Sequence, residues 1–392
     1  ERHQQIFETW LEILEGESRR RGRADDSASM LALSKIRFVE SYNGFILEAV
    51  ERKPATDQLR ELLAQRARPG AGSSVYALND NINQGLNQLR ESFHQKFEFL
   101  TASGLQAYLR GLASDEIILT YHLAPGMAQV WVGSKGKVER RDIPNPYEVY
   151  QSLEAGRSDL ANLGTAAFKK KMEELGKRLL APVSDLLTTT IYWIPSGPLL
   201  GFPVDALRIK GRYLIERHSV VNLLSFPQNK MAKNSLKADD LQKVFLAGNP
   251  MDYSGDYATR LETSSEIRTV ADIFIGPGLQ IIQGVALLPD EFEDGYFRES
   301  NLVHLAMPGV IDLKYPGTSG FELSESEYEP GRVVLRPQAI RSQALSAGLV
   351  FMSSTRLIEK PLTDFSSQPG LVSDFLNAGA ESVVVDFWSV NT

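Results

Sequence analysis

Two short polar runs follow apolar segments and carry side chains that could do chemistry. They are residues 304–309 (HLAMPG) and 352–356 (MSSTR). Serine and threonine hydroxyls become nucleophiles when a neighbouring base removes their proton, and His304 is the imidazole that the first run offers. In an open parallel sheet, such groups meet at the carboxyl ends of the strands. His304, Ser353, Ser354 and Thr355 are therefore the candidate hydrolase residues.

Several other chemistries are excluded by the residue types that the chain uses. No cysteine occurs in the 392 residues, which rules out a cysteine nucleophile, a disulfide and a thiolate metal site within this chain. The five histidines form no His-Glu-x-x-His motif, and no Gly-Lys-Ser or Gly-Lys-Thr phosphate loop is present. We therefore expect neither a metal nor a cofactor.

Charge and hydropathy limit the class of partner. The formal net charge is −7 and the sequence pI is about 5.5, whereas nucleic-acid-binding domains usually carry a basic face. The apolar runs are too short to span a membrane, and the first residues contain no signal-peptide hydrophobic region. These features predict a cytoplasmic protein that contacts neither membrane nor nucleic acid directly.

The apolar pattern changes character near residue 115. In residues 1–104 apolar side chains recur at helical spacing, for example from Leu78 through Ile82 to Leu86, which predicts antiparallel helical hairpins. Further along, short apolar runs alternate with helical patterns at 166–180, 263–274 and 370–377. The predicted strands are 117–123, 128–132, 190–194, 219–223, 243–247, 301–306, 348–353 and 382–387. This alternation predicts an α/β sandwich with a mostly parallel sheet.

The final residues follow directly on the last predicted strand. A doubly wound sheet normally receives a helix after such a strand, so the sequence predicts that the fold continues beyond Thr392.

Residues 105–392 resemble the CHAT domain, a relative of caspases and separases that often follows tetratricopeptide repeats in bacteria. The resemblance rests on an ordered set of segments rather than on one motif. The segments are 105–106, 118–121 (ILTY), 194–199 (IPSGPL), 202–207 (FPVDAL), 213–216 (YLIE), 247–250 (AGNP), 266–267 (EI), 375–380 (FLNAGA) and 387–390 (FWSV). It implies a caspase-like α/β sandwich over 105–392, preceded in 1–104 by helical hairpins that could end a tetratricopeptide array.

The resemblance also locates the two residues of the protease dyad. Active members carry a general-base histidine at the position of Pro308 and a nucleophilic cysteine at the position of Thr355. The 47 residues from 308 to 355 are close to the roughly 50 that separate histidine from cysteine in caspases. Proline has no titratable group, and a threonine hydroxyl without a base stays protonated. Pro308 and Thr355 therefore predict a degenerate dyad without cysteine-protease activity.

These features favour a pseudoprotease that acts as a protein-interaction or regulatory module in bacterial signalling or defence. Its expected partner is another protein, such as an active protease or an effector. One alternative is a hydrolase with a rearranged site, which needs an imidazole or carboxylate within hydrogen-bond reach of Ser353, Ser354 or Thr355. A second alternative is a sensor that binds a small ligand or nucleotide in the old crevice, with Arg356 as a contact. His304 also fits a packed core histidine inside its strand.

Overall fold

A computed structural model describes residue 30 and most of the chain from residue 102 onwards. The described ranges are 102–124, 126–158, 165–195, 197–199, 202–223, 241–250, 258–274, 278–310, 320–324, 333–336, 339–340, 343–353 and 370–385. The helical hairpins predicted for residues 1–104 therefore lie outside the described residues, apart from Met30 and the start of the first helix below.

Helices and strands alternate through the described part of the chain. The α-helices of the described residues are α1 (Ala102–Arg110), α2 (Pro146–Ser158), α3 (Ala166–Leu179), α4 (Ala258–Ile273), α5 (Gly295–Glu299) and α6 (Gly370–Ala378). The first strands are β1 (Glu116–Ala124), β2 (Met127–Ser134), β3 (Lys137–Asp142), β4 (Thr190–Ile194), β5 (Arg208–Ile209), β6 (Arg212–Tyr213) and β7 (Ser219–Asn222). They are followed by β8 (Val244–Pro250), β9 (Leu279–Gly284), β10 (Leu302–Ala306), β11 (Gly309–Val310), β12 (Gly320–Glu322), β13 (Val334–Leu335), β14 (Leu349–Ser353) and β15 (Val383–Val385).

Most of the described strands form two five-stranded sheets, where a single main sheet was predicted; β11, β12 and β13 form a three-stranded sheet, and β5 pairs with β6. The first sheet has the order β3-β2-β1-β4-β7, and the second has the order β15-β14-β10-β8-β9. In the first, β1 pairs antiparallel with β2 and parallel with β4. All four pairings of the second sheet are parallel. The α/β class with mostly parallel pairing is thereby confirmed.

Apolar side chains cover both faces of the first sheet. On one face, Tyr121 and Trp193 pack with residues of α2 and α3, and their ring centroids lie 4.7 Å apart. On the other face, Trp131 is fully buried with residues of α1 and with Met30. A methionine far from α1 in sequence therefore belongs to the core of this sheet.

The second sheet also lies between two helical layers. Helix α4 covers one face, where its Ile267 packs with apolar residues of β8 and β10. The opposite face packs against an aromatic cluster in which Phe245, Phe292 and Phe297 meet edge to face at centroid distances of 5.1–5.7 Å. Burial on both faces explains why β8 and β10 are apolar along almost their whole length.

Gly248, in the AGNP segment of residues 247–250, lies where β8, β10 and α4 approach one another closely. A Cβ atom on Gly248 would lie 2.7 Å from the carbonyl oxygen of Ala306 in β10 and 2.8 Å from Cγ1 of Ile267 in α4. Both distances are shorter than real Cβ contacts, so β8, β10 and α4 would have to separate. The glycine therefore sets the distance between the sheet and α4 near the ends of the strands.

We predict that Gly248→Ala lowers the free energy of unfolding by about 2 kcal/mol, the usual cost of overpacking a core by one methyl group. Urea denaturation followed by circular dichroism measures the loss. Gly126→Ala is the matched control, because a Cβ atom there has no atom within 4 Å and the residue is exposed in a turn. Equal stability of the two variants would contradict the packing inferred at Gly248.

Candidate functional site

The candidate site lies where the central strands of the second sheet end. His304 of β10 pairs with Phe351 of β14, and two residues further Ala306 pairs with Ser353. Because these strands are parallel, their carboxyl ends lie side by side, where loops leave the sheet and crevices form.

Three polar side chains meet on the face that α4 covers. Nε2 of His304 lies 2.9 Å from Oε1 of Glu266, and Oγ of Ser353 donates a hydrogen bond of 3.0 Å to Oε2 of the same carboxylate. Glu266 belongs to α4, so three elements contribute one side chain each. The His304 ring also stacks on Phe351, with 5.1 Å between ring centroids. We call Glu266, His304 and Ser353 the Glu266 clamp.

The carboxylate of the clamp is ionised and engaged at both oxygens. Burial raises the pKa of Glu266, but the hydrogen bonds from His304 and Ser353, together with the charge of His304, outweigh burial and leave the pKa below its ordinary value. The His304 side chain is 7% exposed, whereas that of Glu266 is 33% exposed. A carboxylate with a lowered pKa is a weak base, so the arrangement suits holding elements together better than removing a proton.

Pro308 lies just beyond the end of β10 and is half-buried. Its carbonyl oxygen accepts a hydrogen bond of 2.9 Å from the backbone N–H of Glu322 in β12. Gly309, the next residue, opens β11, which pairs antiparallel with β12. The backbone of Pro308 is thus bound to the small three-stranded sheet of β11, β12 and β13. The proline side chain supplies no proton donor or acceptor.

The strand register can be compared with the spacing of the dyad positions. Ala306 pairs with Ser353, which is an offset of 47 residues, and the same offset separates Pro308 from Thr355. The pairing of β10 with β14 is therefore in register with the two dyad positions that the resemblance implies. Ser354, Thr355 and Arg356 themselves lie outside the described residues.

Two further described histidines lie in or next to strands of the first sheet. His122 lies in β1, where burial lowers its pKa to about 4, so the ring is neutral at neutral pH. His218 precedes β7, and its Nδ1 lies 2.5 Å from the carbonyl oxygen of Thr188. Neither belongs to the strands that carry the dyad positions.

Within the described ranges, no group of three or more histidine, cysteine, aspartate or glutamate residues is arranged to hold a metal ion. Within the same part of the chain, none of the helices combines the length and the apolar character needed to cross a bilayer.

Comparison with known families matches the CHAT domain to residues 169–392, more than half of the chain. The protein belongs to the CHAT family. The match includes β10 and β14 with the Glu266 clamp, and it confirms the family that the ordered segments indicated. No curated protein matches the chain. The protease-like fold of this CHAT protein is thus established on both sequence and structure.

His304 and Ser353 were predicted as candidate site residues, but their contacts with Glu266 were not predicted. The three residues are far apart in the chain, with 38 residues from Glu266 to His304 and 87 from Glu266 to Ser353. One signal was available: a histidine inside an otherwise apolar strand requires a polar partner, because buried polar groups are almost always hydrogen-bonded. The helix predicted between β8 and β9, which covers this strand, contains that partner.

Proposed function

We propose that this CHAT protein is a catalytically inactive member whose strand-end crevice binds a segment of a protein partner. The partner is an active protease or an effector in a bacterial signalling or defence system. The observation that carries the proposal is Pro308, whose carbonyl oxygen is bonded to the N–H of Glu322 and whose side chain replaces the general base. The absence of cysteine from the whole chain supports the same conclusion.

The contacts of the histidine in β10 support this proposal as well. His304 lies four residues before Pro308, is nearly buried and directs Nε2 at Glu266. That imidazole nitrogen is therefore engaged with α4. A protease dyad needs an imidazole that reaches the nucleophile and then the leaving amine, and losing such a unit removes several powers of ten in rate.

A hydrolase that uses Ser353 is the second candidate, because one observation favours it. A rearranged site needs a base in hydrogen-bond reach of a hydroxyl, and the Glu266 carboxylate accepts from Ser353 at 3.0 Å. In such a reaction Glu266 takes the hydroxyl proton while Oγ adds to a carbonyl carbon and the C=O π electrons move to its oxygen. Collapse of this adduct then expels the leaving group, which takes the proton from Glu266. The lowered pKa of Glu266 weighs against this role, because the carboxylate then has little tendency to accept a proton.

Affinity purification of the full-length protein from its host, with mass spectrometry of the eluate, tests the proposal. We expect an intact stoichiometric partner with the natural chain and with Thr355→Ala, and loss of this partner with Thr355→Arg, which places a bulky cation in the crevice. The matched control is Ser219→Arg, at an exposed position on an edge strand of the first sheet. Fragments of a co-purified protein that vanish with Ser353→Ala or Thr355→Ala would overturn the proposal in favour of the hydrolase.

A further inference from the structure

The Glu266 clamp supplies directional contacts at an interface that is otherwise largely apolar. Around it, α4 meets the sheet through buried apolar side chains that include Leu246 of β8, Ile267 of α4 and Leu302 of β10. Apolar contacts of this kind are non-directional, so they do not by themselves fix which helix residue faces which strand. Charge-assisted hydrogen bonds have a fixed geometry and are about twice as strong as neutral ones.

The clamp acts on the residues that lead into the crevice. Ser353 is the last residue of β14 and stands two positions before Thr355, while His304 stands four positions before Pro308. Glu266 bonds to both side chains through different oxygens, so it holds the two strands to one point on α4. A displacement of α4 therefore moves or releases the ends of both strands together.

The close packing at Gly248 strengthens this coupling. This residue of β8 pairs with Ala306, and a side chain there would collide with both β10 and α4. Helix α4 is therefore closely packed against the strand ends, and a displacement of the helix also displaces the strands.

We propose that Glu266 is a positioning residue through which α4 holds the carboxyl ends of β10 and β14, which border the proposed binding crevice. This inference rests on the proposed function, because the crevice is the region taken to bind the partner. A partner or upstream component that shifts α4, or competes for the Glu266 carboxylate, loosens the ends of β10 and β14 and releases the bound segment. Binding is thus regulated by movement of α4 and not by the residues at the dyad positions.

Hydrogen–deuterium exchange of the full-length chain, read by mass spectrometry, tests the coupling without any partner. In Glu266→Gln we expect peptides covering 302–310 and 349–353 to exchange about tenfold faster or more, while peptides of β1 and β2 keep their natural rates. Asp272→Asn is the matched control, since Asp272 is exposed on the same helix. Ser353→Ala, a milder change, should accelerate 349–353 and leave 302–306 protected.

Unchanged exchange in these peptides, or an equal acceleration in both sheets, would overturn the inference, because a purely structural role changes stability throughout.

The affinity purification described above then separates the two proposals. Glu266→Gln should lose the partner that Asp272→Asn retains. If Glu266→Gln keeps the partner despite faster local exchange, the coupling is wrong and the proposed function stands. If the natural chain captures no partner, the proposed function fails while the exchange result remains valid.

Discussion

Introducing both residues of a dyad, as Pro308→His with Thr355→Cys, should make the new thiol react at least about tenfold faster with iodoacetamide near pH 7 than Thr355→Cys alone. The thiolate is the reactive form, and a neighbouring imidazole lowers the pKa of a thiol and raises the thiolate fraction. The register of β10 with β14 supports the pairing, because Ala306 and Ser353 are partners two positions before residues 308 and 355. The natural chain contains no cysteine, so the alkylation signal arises from residue 355 alone.

Pro308→Gln with Thr355→Cys is the control for this experiment. It removes the proline ring as the histidine variant does, but offers no titratable group. If the glutamine and histidine variants are alkylated at the same rate over pH 5–9, the two strand ends do not bring residues 308 and 355 together. In that case the crevice of this protein differs from that of active CHAT members in geometry and not only in chemistry.

Glu266→Ala should lower the free energy of unfolding at pH 7 by about 3 kcal/mol. Hydrogen bonds to charged groups contribute roughly 1.5–3 kcal/mol each, and the partial exposure of Glu266 reduces the sum over its two bonds. The variant also leaves the nearly buried His304 ring without its acceptor. Urea denaturation measures the difference. Glu174→Ala is the matched control, since Glu174 is an exposed glutamate of α3.

The pH dependence of the same variant has a defined sign. The pKa of Glu266 in the folded protein lies below its ordinary value, so the folded state favours the ionised carboxylate. Its contribution to stability is fully present above the ordinary carboxyl pKa and is lost as the pH falls through the lowered, folded-state pKa. The natural protein should therefore lose more stability than Glu266→Ala between about pH 6 and pH 3. Parallel curves for the two proteins would show that the carboxylate is not stabilised by its partners.

Several of the strands that sequence patterns predicted well are covered on both faces of their sheet, although the exposed edge strand β7 was also predicted to within one residue. The runs around β4, β10 and β14 were located to within about one residue, because continuous apolar character is what a covered parallel strand requires. Strand β3 was missed, because its sequence KVERRD is charged and pairs only at the edge of the first sheet. Charged side chains on an edge protect it from pairing with other chains, and they also remove the apolar signal.

The division of the strands into two sheets could not be deduced from local patterns. Which strands become neighbours depends on contacts between distant residues, and β8 and β7 read alike as short apolar runs although they belong to different sheets. The same limit applies to the site. Pro308 was identified through the family resemblance, whereas the link from Glu266 to His304 and Ser353 depends on how α4 lies on the sheet.

Met30 has a consequence for how this protein can be recombined with its relatives. Its side chain belongs to the same buried cluster as Leu109 and Trp131, and a Cβ atom on Gly133 would lie 3.0 Å from its terminal methyl carbon. The absence of a side chain at Gly133 thus leaves a space, called here the Gly133 socket, that the Met30 side chain fills. A chimera that grafts another amino-terminal segment onto residues 105–392 would open this socket to water unless the graft brings an apolar side chain of similar length to the same place.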